Sequence, residues 1–250
     1  MGITDVIALV CAGAVAGAAG TAGGITSLIS YPSLLAVGLA PFPANVANMV
    51  ALVACWPGSA IASRPELQGS GARLRSWAMV CVLGGAIGAA LLLSTPADFF
   101  VRVVPFLLAG ASLILLLQPR LYAWQGHRLA HAHRLAVLPG LLVVAIYNGY
   151  FGAGSGIMLL ALLLLFVEQH LAKANAFKNV LIGAATLVSA LAFVFFASID
   201  WAAVLPLAAG MFAGSTVGPH IARRVPADLL RWVVAILGFG LAAWLWARPG

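Results

Sequence analysis

Two glycine-rich turns lie inside apolar stretches of the chain and are spaced as copies of one another. Residues 17–25 read GAAGTAGGI, and residues 149–157, at an offset of 132, read GYFGAGSGI. A glycine break leaves backbone N–H and C=O groups unpaired, which is costly in lipid unless they face a cavity or a ligand. The pattern therefore predicts two interrupted helices whose ends line a polar site within the membrane.

A polar cluster follows each turn at an offset of 130. Asn45 and Asn48 are three residues apart, which places both on one helical face. Asn175 and Lys178 have the same spacing, and Asn179 takes the next position on that face. A lysine deep in the bilayer costs about 2.5 to 3.5 kcal/mol on insertion scales, so Lys178 should have a counter-charge, a watery cavity or a carried anion as its partner.

Each of these interpretations has a structural alternative. The glycines could serve only tight helix packing, since GxxG and GxxxG spacings are frequent in membrane bundles. Lys178, like Lys173, could extend its ammonium group to the headgroups at the cytoplasmic end of its helix. Glu168 and His170, just before this cluster, could be interface residues or could carry a proton in a coupled cycle. The duplication of turn and cluster favours a binding site over packing alone.

The helix that restarts after each break should attract an anion. Its first N–H groups have no intrahelical acceptor, its dipole contributes about half a positive charge, and glycine lets a ligand approach the backbone closely. The predicted substrate-binding residues are Gly23, Gly24, Ile25, Thr26, Ser27, Asn45, Asn48, Gly154, Ser155, Gly156, Ile157, Asn175, Lys178 and Asn179, with Tyr31, Tyr147 and Asn148 as weaker candidates.

Composition and charge place the chain in the membrane. It is 63% apolar and 8% charged, and residues 77–94, 101–117 and 229–247 approach or exceed the length of a membrane span. The net charge of +7 does not indicate nucleic acid, because nine of the eleven arginines fall in or beside three interhelical loops, which should be cytoplasmic. The N-terminus lacks the basic region of a cleavable signal, so the first apolar run should be retained as a helix.

No metal or cofactor is predicted. The histidines of the second basic loop, His127, His131 and His133, have no cysteine or carboxylate beside them, which favours a solvated loop over a metal site. The three cysteines lie in apolar runs without metal or redox spacing and should be small packing residues. Most tryptophans, Trp56 included, lie near predicted helix ends and are interpreted as membrane-interface anchors.

The loop charges also predict a topology. Residues 135–166 must return to the side they left, so they should form a helical hairpin, re-entrant or fully spanning, with Gly152 and Gly156 near its tip. Residues 3–39 should form the corresponding hairpin in the first half. Three crossing helices should follow each hairpin, at 45–62, 77–94 and 101–117 in the first half and at 175–197, 202–217 and 229–247 in the second. An odd number of crossings inverts the second copy.

The expected fold is therefore an all-α polytopic membrane protein built from two inverted repeats. Each repeat is a glycine-broken helical hairpin followed by three transmembrane helices. Residues 1–250 should form a single transmembrane domain, with repeat 1 at 1–118 and repeat 2 at 135–250. One binding site should lie near the bilayer midplane, between the two hairpin tips.

These motifs carry a family resemblance. Residues 17–35 (GAAGTAGGITSLISYPSLL), the ANVAN run at 44–48, residues 148–157 (NGYFGAGSGI) and the ANAFKN run at 174–179 resemble the TauE/SafE family of sulfite and organosulfonate exporters. The resemblance covers both halves. It implies a multi-pass transporter of the bacterial inner membrane that moves small sulfur-containing anions such as sulfite, thiosulfate, sulfoacetate or related sulfonates. The anion, the direction of transport and a coupling ion, proton or sodium, stay open.

Two other classes of function would use some of the same residues. The turn at Ser155 is similar to the serine turn of intramembrane proteases, in which the serine is paired with a membrane-embedded histidine. The nearest histidine here is His170, at the predicted interface. An enzyme is therefore not predicted. A passive anion channel would use the same helix ends and lysine, so it is the alternative to a carrier.

Gly24 and Gly156 should tolerate valine less well than Gly88 and Gly110, which lie in ordinary helices.

Overall fold

The described part of the chain consists of helices joined by short connections. The computed structural model describes residues 1–63, 65–123, 134–168, 170–222 and 227–247, and these residues contain α-helices, a short 3-10 helix at Pro65–Leu67 and no β-strand. The all-α prediction is confirmed. The helices are α1 (Ile3–Gly23), α2 (Thr26–Ala36), α3 (Pro41–Leu52), α4 (Cys55–Ala62), α5 (Gly71–Ser94), α6 (Ala97–Ala123), α7 (Arg134–Tyr150), α8 (Ser155–Phe166), α9 (Leu171–Phe196), α10 (Trp201–Ala222) and α11 (Ala227–Ala247).

The surface of the bundle is suited to lipid. Among the described residues, four segments are long and apolar enough to cross a membrane, within α1, α5, α6 and α9. Large apolar side chains such as Leu83, Phe106, Phe195 and Ile236 are more than half exposed on the outside of the bundle. Apolar surface of this extent would be unfavourable in water. The protein is a multi-pass membrane protein.

Both glycine turns interrupt their helices. α1 ends at Gly23, Gly24 has a φ of 74°, and α2 begins at Thr26. In the second half Gly154 has a φ of 79° and caps α8. A positive φ is unfavourable for other residues, which explains the glycines at these positions. α2 and α8 have 11 and 12 residues, or about 17 to 18 Å, against a hydrocarbon core of about 30 Å. Neither can cross a membrane by itself.

The prediction of one continuous helix at 45–62 is wrong. The structure has two helices there, α3 and α4, separated at Val53 and Ala54. Pro57 supplies the physical reason: a proline has no N–H, and its ring clashes with the carbonyl four residues earlier, here that of Val53, which favours a break at this point. Proline is tolerated in the first turn of a helix, which is where Pro57 lies in α4. The corresponding helix of the second half, α9, is unbroken.

Glycines also mediate close packing away from the turns. α1 packs on α10, where a Cβ at Gly17 would lie 2.4 Å from the carbonyl oxygen of Met211. α5 packs on α7, where a Cβ at Gly88 would lie 2.1 Å from the carbonyl oxygen of Ile146. The expectation that Gly88 would tolerate valine is therefore corrected, because its helix meets a neighbouring backbone. Gly110 has no atom within 4 Å of an added Cβ, so it keeps its expected tolerance.

Candidate functional site

The two glycine turns, 132 residues apart in sequence, meet in the centre of the bundle. A Cβ built on Gly24 would lie 2.8 Å from the carbonyl carbon of Gly156, and one built on Gly156 would lie 2.8 Å from the Cα of Gly24. Such distances are too short for any side chain, so the contact is backbone against backbone. α2 begins at Thr26 and α8 at Ser155, directly after these turns, so two helix N-termini are brought together at one place.

A cavity with both polar and apolar groups in its wall lies beside this contact. It has a volume of about 80 Å³, and the ends of α1, α2, α7 and α8 meet α4 and α9 around it. Several of its wall residues carry a hydroxyl, amide or ammonium group: Thr21, Thr26, Ser27, Ser59, Asn148, Ser155, Lys178, Asn179 and Thr186. All of these groups can donate hydrogen bonds, and none of the described wall residues is acidic. The cavity is suited to an anion.

Among the described residues of the cavity wall, Lys178 is the one whose side chain can carry a full positive charge. Its side chain is 2% exposed, and Nζ lies 3.5 Å from the carbonyl oxygen of Gly20, a long hydrogen bond. No carboxylate of the described residues lies within ion-pair distance of Nζ. The ion pairs among the described residues join Glu168 to His170 and to Lys173. A buried ammonium group without a counter-charge is unfavourable, and the two helix N-termini add positive potential. An anion in the cavity would relieve this imbalance.

A small hydrogen-bond network holds the start of α8 in the cavity wall. The hydroxyl of Ser155 lies 2.7 Å from Oδ1 of Asn148, and Nδ2 of Asn148 donates to the hydroxyl of Thr186 at 3.1 Å. Asn148 and Ser155 are almost fully buried. Thr26 and Ser27, at the start of α2, have side-chain hydroxyls without a hydrogen-bond partner among the described residues, and both line the cavity. These hydroxyls are free to donate to a ligand.

The asparagines of the two clusters have other partners. Nδ2 of Asn45 donates to the carbonyl oxygen of Tyr150 at 2.9 Å, and Nδ2 of Asn175 donates to that of Thr21 at 3.2 Å. Each amide thus binds a backbone carbonyl at the broken helix of the other half. Oδ1 of Asn48 accepts a hydrogen bond from Ser30 at 2.5 Å. None of the three asparagines lines the cavity, so the structure gives them a supporting position, and their contact with substrate stays a prediction.

The remaining predicted residues are divided between the cavity wall and the surrounding core. Eight of the predicted residues line the cavity: Gly24, Thr26, Ser27, Asn148, Ser155, Gly156, Lys178 and Asn179. Ile25 and Ile157 are buried in the apolar core, and Gly154 packs against Ala111. The surroundings of Gly23 lie outside the described residues, as do His127, His131 and His133.

The two weaker tyrosine candidates support the turns without lining the cavity. The hydroxyl of Tyr147 donates to the carbonyl oxygen of Ala153 at 2.7 Å and so braces the second turn. Tyr31 is 1% exposed, its hydroxyl donates to the carbonyl oxygen of Pro41 at 3.3 Å, and its ring contacts Phe151 edge-to-face at 5.4 Å. Both rings pack in the core that surrounds the site.

Sequence reasoning missed part of the wall. The structure places Trp56 in the cavity wall, beside the residues of the α3–α4 break, whereas the sequence predicted an interface anchor. Pro57 was the available signal, because a helix break at depth in a membrane usually borders a cavity. At the offset of 130, Trp56 corresponds to Thr186, which was also missed and also lines the cavity.

The residues before α9 form a separate surface group. Glu168 accepts from Nζ of Lys173 at 2.9 Å and contacts the ring of His170 at 3.0 Å. Burial alone would raise the pKa of Glu168, but its hydrogen bonds to Lys173 and His170 outweigh this and lower the pKa to about 2. A carboxyl group with so low a pKa stays ionised at physiological pH, which argues against a proton-carrying role. Within the described ranges, no three His, Cys, Asp or Glu side chains come together as a metal site.

Comparison with known proteins identifies the family of this chain. A family model described as Sulfite exporter TauE/SafE matches residues 6–245. A "Probable membrane transporter protein" of Haemophilus influenzae is 28% identical over 97% of this chain and 95% of its own length. The "Probable membrane transporter protein YfcA" of Escherichia coli K12 is 26% identical over 86% of this chain and 80% of its own. No solved structure matches. The chain belongs to the TauE/SafE family and is a probable membrane transporter.

Proposed function

We propose that the protein carries small sulfur-containing anions, such as sulfite, thiosulfate, sulfoacetate or related organosulfonates, across the bacterial inner membrane by alternating access. The anion would occupy the cavity between the two glycine turns. The observation that carries this proposal is the burial of Lys178 in the cavity wall with no carboxylate of the described residues beside it. The description of the family supplies the class of anion.

The cavity favours a carried anion over a permanently bound one. Lys178 gives one formal charge, and the remaining donors are neutral hydroxyls, amides and helix ends. A site with one charge and several neutral donors can hold a small anion firmly enough for selectivity and still release it. This is a transport site rather than a catalytic one: Ser155 bonds to Asn148 and Gly152, and His170 is exposed outside the bundle.

An inverted repeat is part of the proposal. Corresponding helices of the two halves have corresponding neighbours, which supports it. In the first half α1 packs on α10, and in the second half the corresponding helix α7 packs on α5. Likewise α2 packs on α3, and its counterpart α8 packs on α9. The last helices of the two halves, α6 and α11, pack on each other. Repeats with residues 1–118 and 135–250 as their units, related by an axis in the membrane plane, would create this exchange of partners.

A difference between the halves supports alternating access. The first half has a break between α3 and α4, beside the cavity, whereas α9 runs unbroken through the corresponding residues around Gly183. Inverted repeats in different conformations leave the shared site accessible from one side.

A flux experiment separates the carrier from a channel. Purified protein in liposomes should take up radiolabelled sulfite with a rate that saturates, and unlabelled sulfite trapped inside should accelerate uptake by counterflow. A carrier predicts this because each turnover returns the site to the opposite side. Single-channel currents without counterflow would contradict alternating access and favour the channel. A binding screen of sulfite, thiosulfate, sulfoacetate, taurine, sulfate and phosphate would then identify the preferred anion.

The inverted repeat makes a topological prediction. The loops at 63–76 and 119–134 should both be cytoplasmic, and both chain ends should lie outside. After the three native cysteines are replaced by alanine, a single cysteine in a tag before Met1 or after Gly250 should react with a membrane-impermeant maleimide on intact spheroplasts. A cysteine in either loop should react only after lysis. A cytoplasmic N-terminus with an external C-terminus would remove the hairpin interpretation of residues 3–39.

A further inference from the structure

One aromatic side chain stands out in the cavity wall. Of the described residues that line the cavity, five are glycines, most others are small hydroxyl or amide residues, and Trp56 alone is aromatic. The indole ring is therefore the largest rigid group that borders the space for an anion. Its neighbours Leu52, Val53 and Cys55, at the α3–α4 break, make the same side of the cavity apolar. The polar helix ends and Lys178 belong to other elements.

The position of this ring depends on a glycine in the facing helix, α9. A Cβ built on Gly183 of α9 would lie 1.9 Å from Cδ1 of Trp56, 2.2 Å from Nε1 and 2.8 Å from Cγ. The five-membered part of the indole thus lies directly against the backbone of Gly183. Any residue larger than glycine at position 183 would displace the ring.

No hydrogen bond holds the ring there. Nε1 of Trp56 is buried and has no acceptor among the described residues, although a buried indole N–H usually finds one. Steric fit against Gly183 is therefore what determines how far the indole extends toward the cavity. A change at either residue should alter the size of the space.

We propose that Trp56, seated against Gly183, sets the upper size of the anion that the cavity accepts. This inference rests on the proposed transport function. The headgroup of the anion is bound by Lys178 and the helix ends, and its substituent extends toward the apolar side, where the indole limits its length. Trp56 is then a residue that determines specificity, and Gly183 is the residue that positions it. In apolar pockets one methylene group changes discrimination by about tenfold or more.

The test is a chain-length series on the purified full-length protein. The dissociation constants of methane-, ethane-, propane- and butanesulfonate are measured for the wild type, Trp56→Ala, Trp56→Phe and Gly183→Ala. Trp56→Ala should shift the ratio of butanesulfonate to methanesulfonate affinity by about tenfold or more toward the longer anion, and Trp56→Phe should shift it less. Gly183→Ala should shift the ratio toward the shorter anion, because the displaced indole would occupy part of the cavity.

A double variant and two controls make the test specific. In Trp56→Ala/Gly183→Ala the added methyl group no longer meets an indole, so the double variant should recover the profile of Trp56→Ala. Trp77→Ala is the matched aromatic control, since Trp77 packs on Phe177 and does not line the cavity. Gly110→Ala is the matched glycine control, since no atom lies within 4 Å of its added Cβ. Both controls should keep the wild-type ratio.

The outcomes distinguish this inference from the function on which it rests. If the wild type binds the sulfonates but Trp56→Ala and Trp56→Phe keep its chain-length ratio, Trp56 does not set the size limit and the inference fails alone. If Gly183→Ala lowers sulfonate affinity as much in the Trp56→Ala background as in the wild type, Gly183 does not act through the indole, and the proposed steric pairing fails. If the wild type binds no sulfonate and no inorganic sulfur anion, the proposed function fails and the inference with it.

Discussion

Replacing Gly24 or Gly156 by valine should abolish transport in protein that still inserts into the membrane. The two residues meet backbone to backbone, and an added Cβ would lie 2.8 Å from the facing main chain. Valine at Gly24 would also have to adopt a φ of 74°. Such a conformation costs about 1 to 3 kcal/mol, and forcing extra volume into a packed contact costs about 1 to 3 kcal/mol more. The turns would separate, and the two helix starts would leave the cavity wall.

Two other glycines separate this effect from a general loss of packing. Gly110→Val should transport at the wild-type rate, because its position is open. Gly88→Val disturbs an equally close helix contact outside the cavity, between α5 and α7, so it should lower thermal stability while the anion affinity of the folded fraction is retained. Uptake in liposomes, anion affinity and melting temperature are measured on all four variants. Loss of transport at Gly24, Gly88 and Gly156 with unchanged affinity in each would favour packing alone.

The broken helices could be predicted from sequence because their cause is local. A helix that must pass a residue with positive φ ends there, and glycine is the residue that allows it. Gly24 and Gly154 have that conformation in the structure, and α8 restarts at Ser155 as expected. The polar character of the site follows from the same residues, since a break in a membrane helix leaves N–H groups that need a partner. Lys178 and Ser155 line the cavity accordingly.

The partners of the asparagines could not be predicted in the same way. A spacing of three residues places two side chains on one helical face but does not say what that face meets. In the structure that face meets the carbonyl ends of the opposite broken helix. A backbone carbonyl at a glycine break has no partner within its helix, so it needs a hydrogen-bond donor, as an anionic ligand also does. Asn45 and Asn175 donate to the carbonyls of Tyr150 and Thr21. The backbone carbonyls and an anionic substrate thus compete for the same amide donors.

The position of Trp56 depends on contacts distant in sequence. An aromatic residue near the end of an apolar run is an interface anchor in many membrane proteins. Here the run is broken by Pro57, and the indole lies against Gly183, more than a hundred residues away. Only the packing of α4 on α9 brings the two together. A pattern read along one helix contains no information on such a pair.

Replacing Lys178 by glutamine should weaken anion binding by about ten- to a hundredfold. The change removes a charge-assisted interaction worth about 1.5 to 3 kcal/mol and keeps a side chain of similar shape that can still donate a hydrogen bond. Stability should not fall with it, because a buried ammonium group without a counter-charge is itself unfavourable. Isothermal titration with sulfite and a thermal melt of the unliganded protein measure the two effects separately.

Lys173 provides the matched control for Lys178. It lies five residues earlier on α9, but its side chain is 41% exposed and pairs with Glu168, so Lys173→Gln should leave the anion affinity nearly unchanged. Lys178→Arg should also bind the anion weakly, because a planar guanidinium group is bulkier than the ammonium group and has a different hydrogen-bond geometry. If Lys178 only extended to the headgroups, arginine would be accepted and both glutamine variants would bind like the wild type. Wild-type affinity in Lys178→Gln would leave the hydroxyls and the helix ends as the sole donors to the anion.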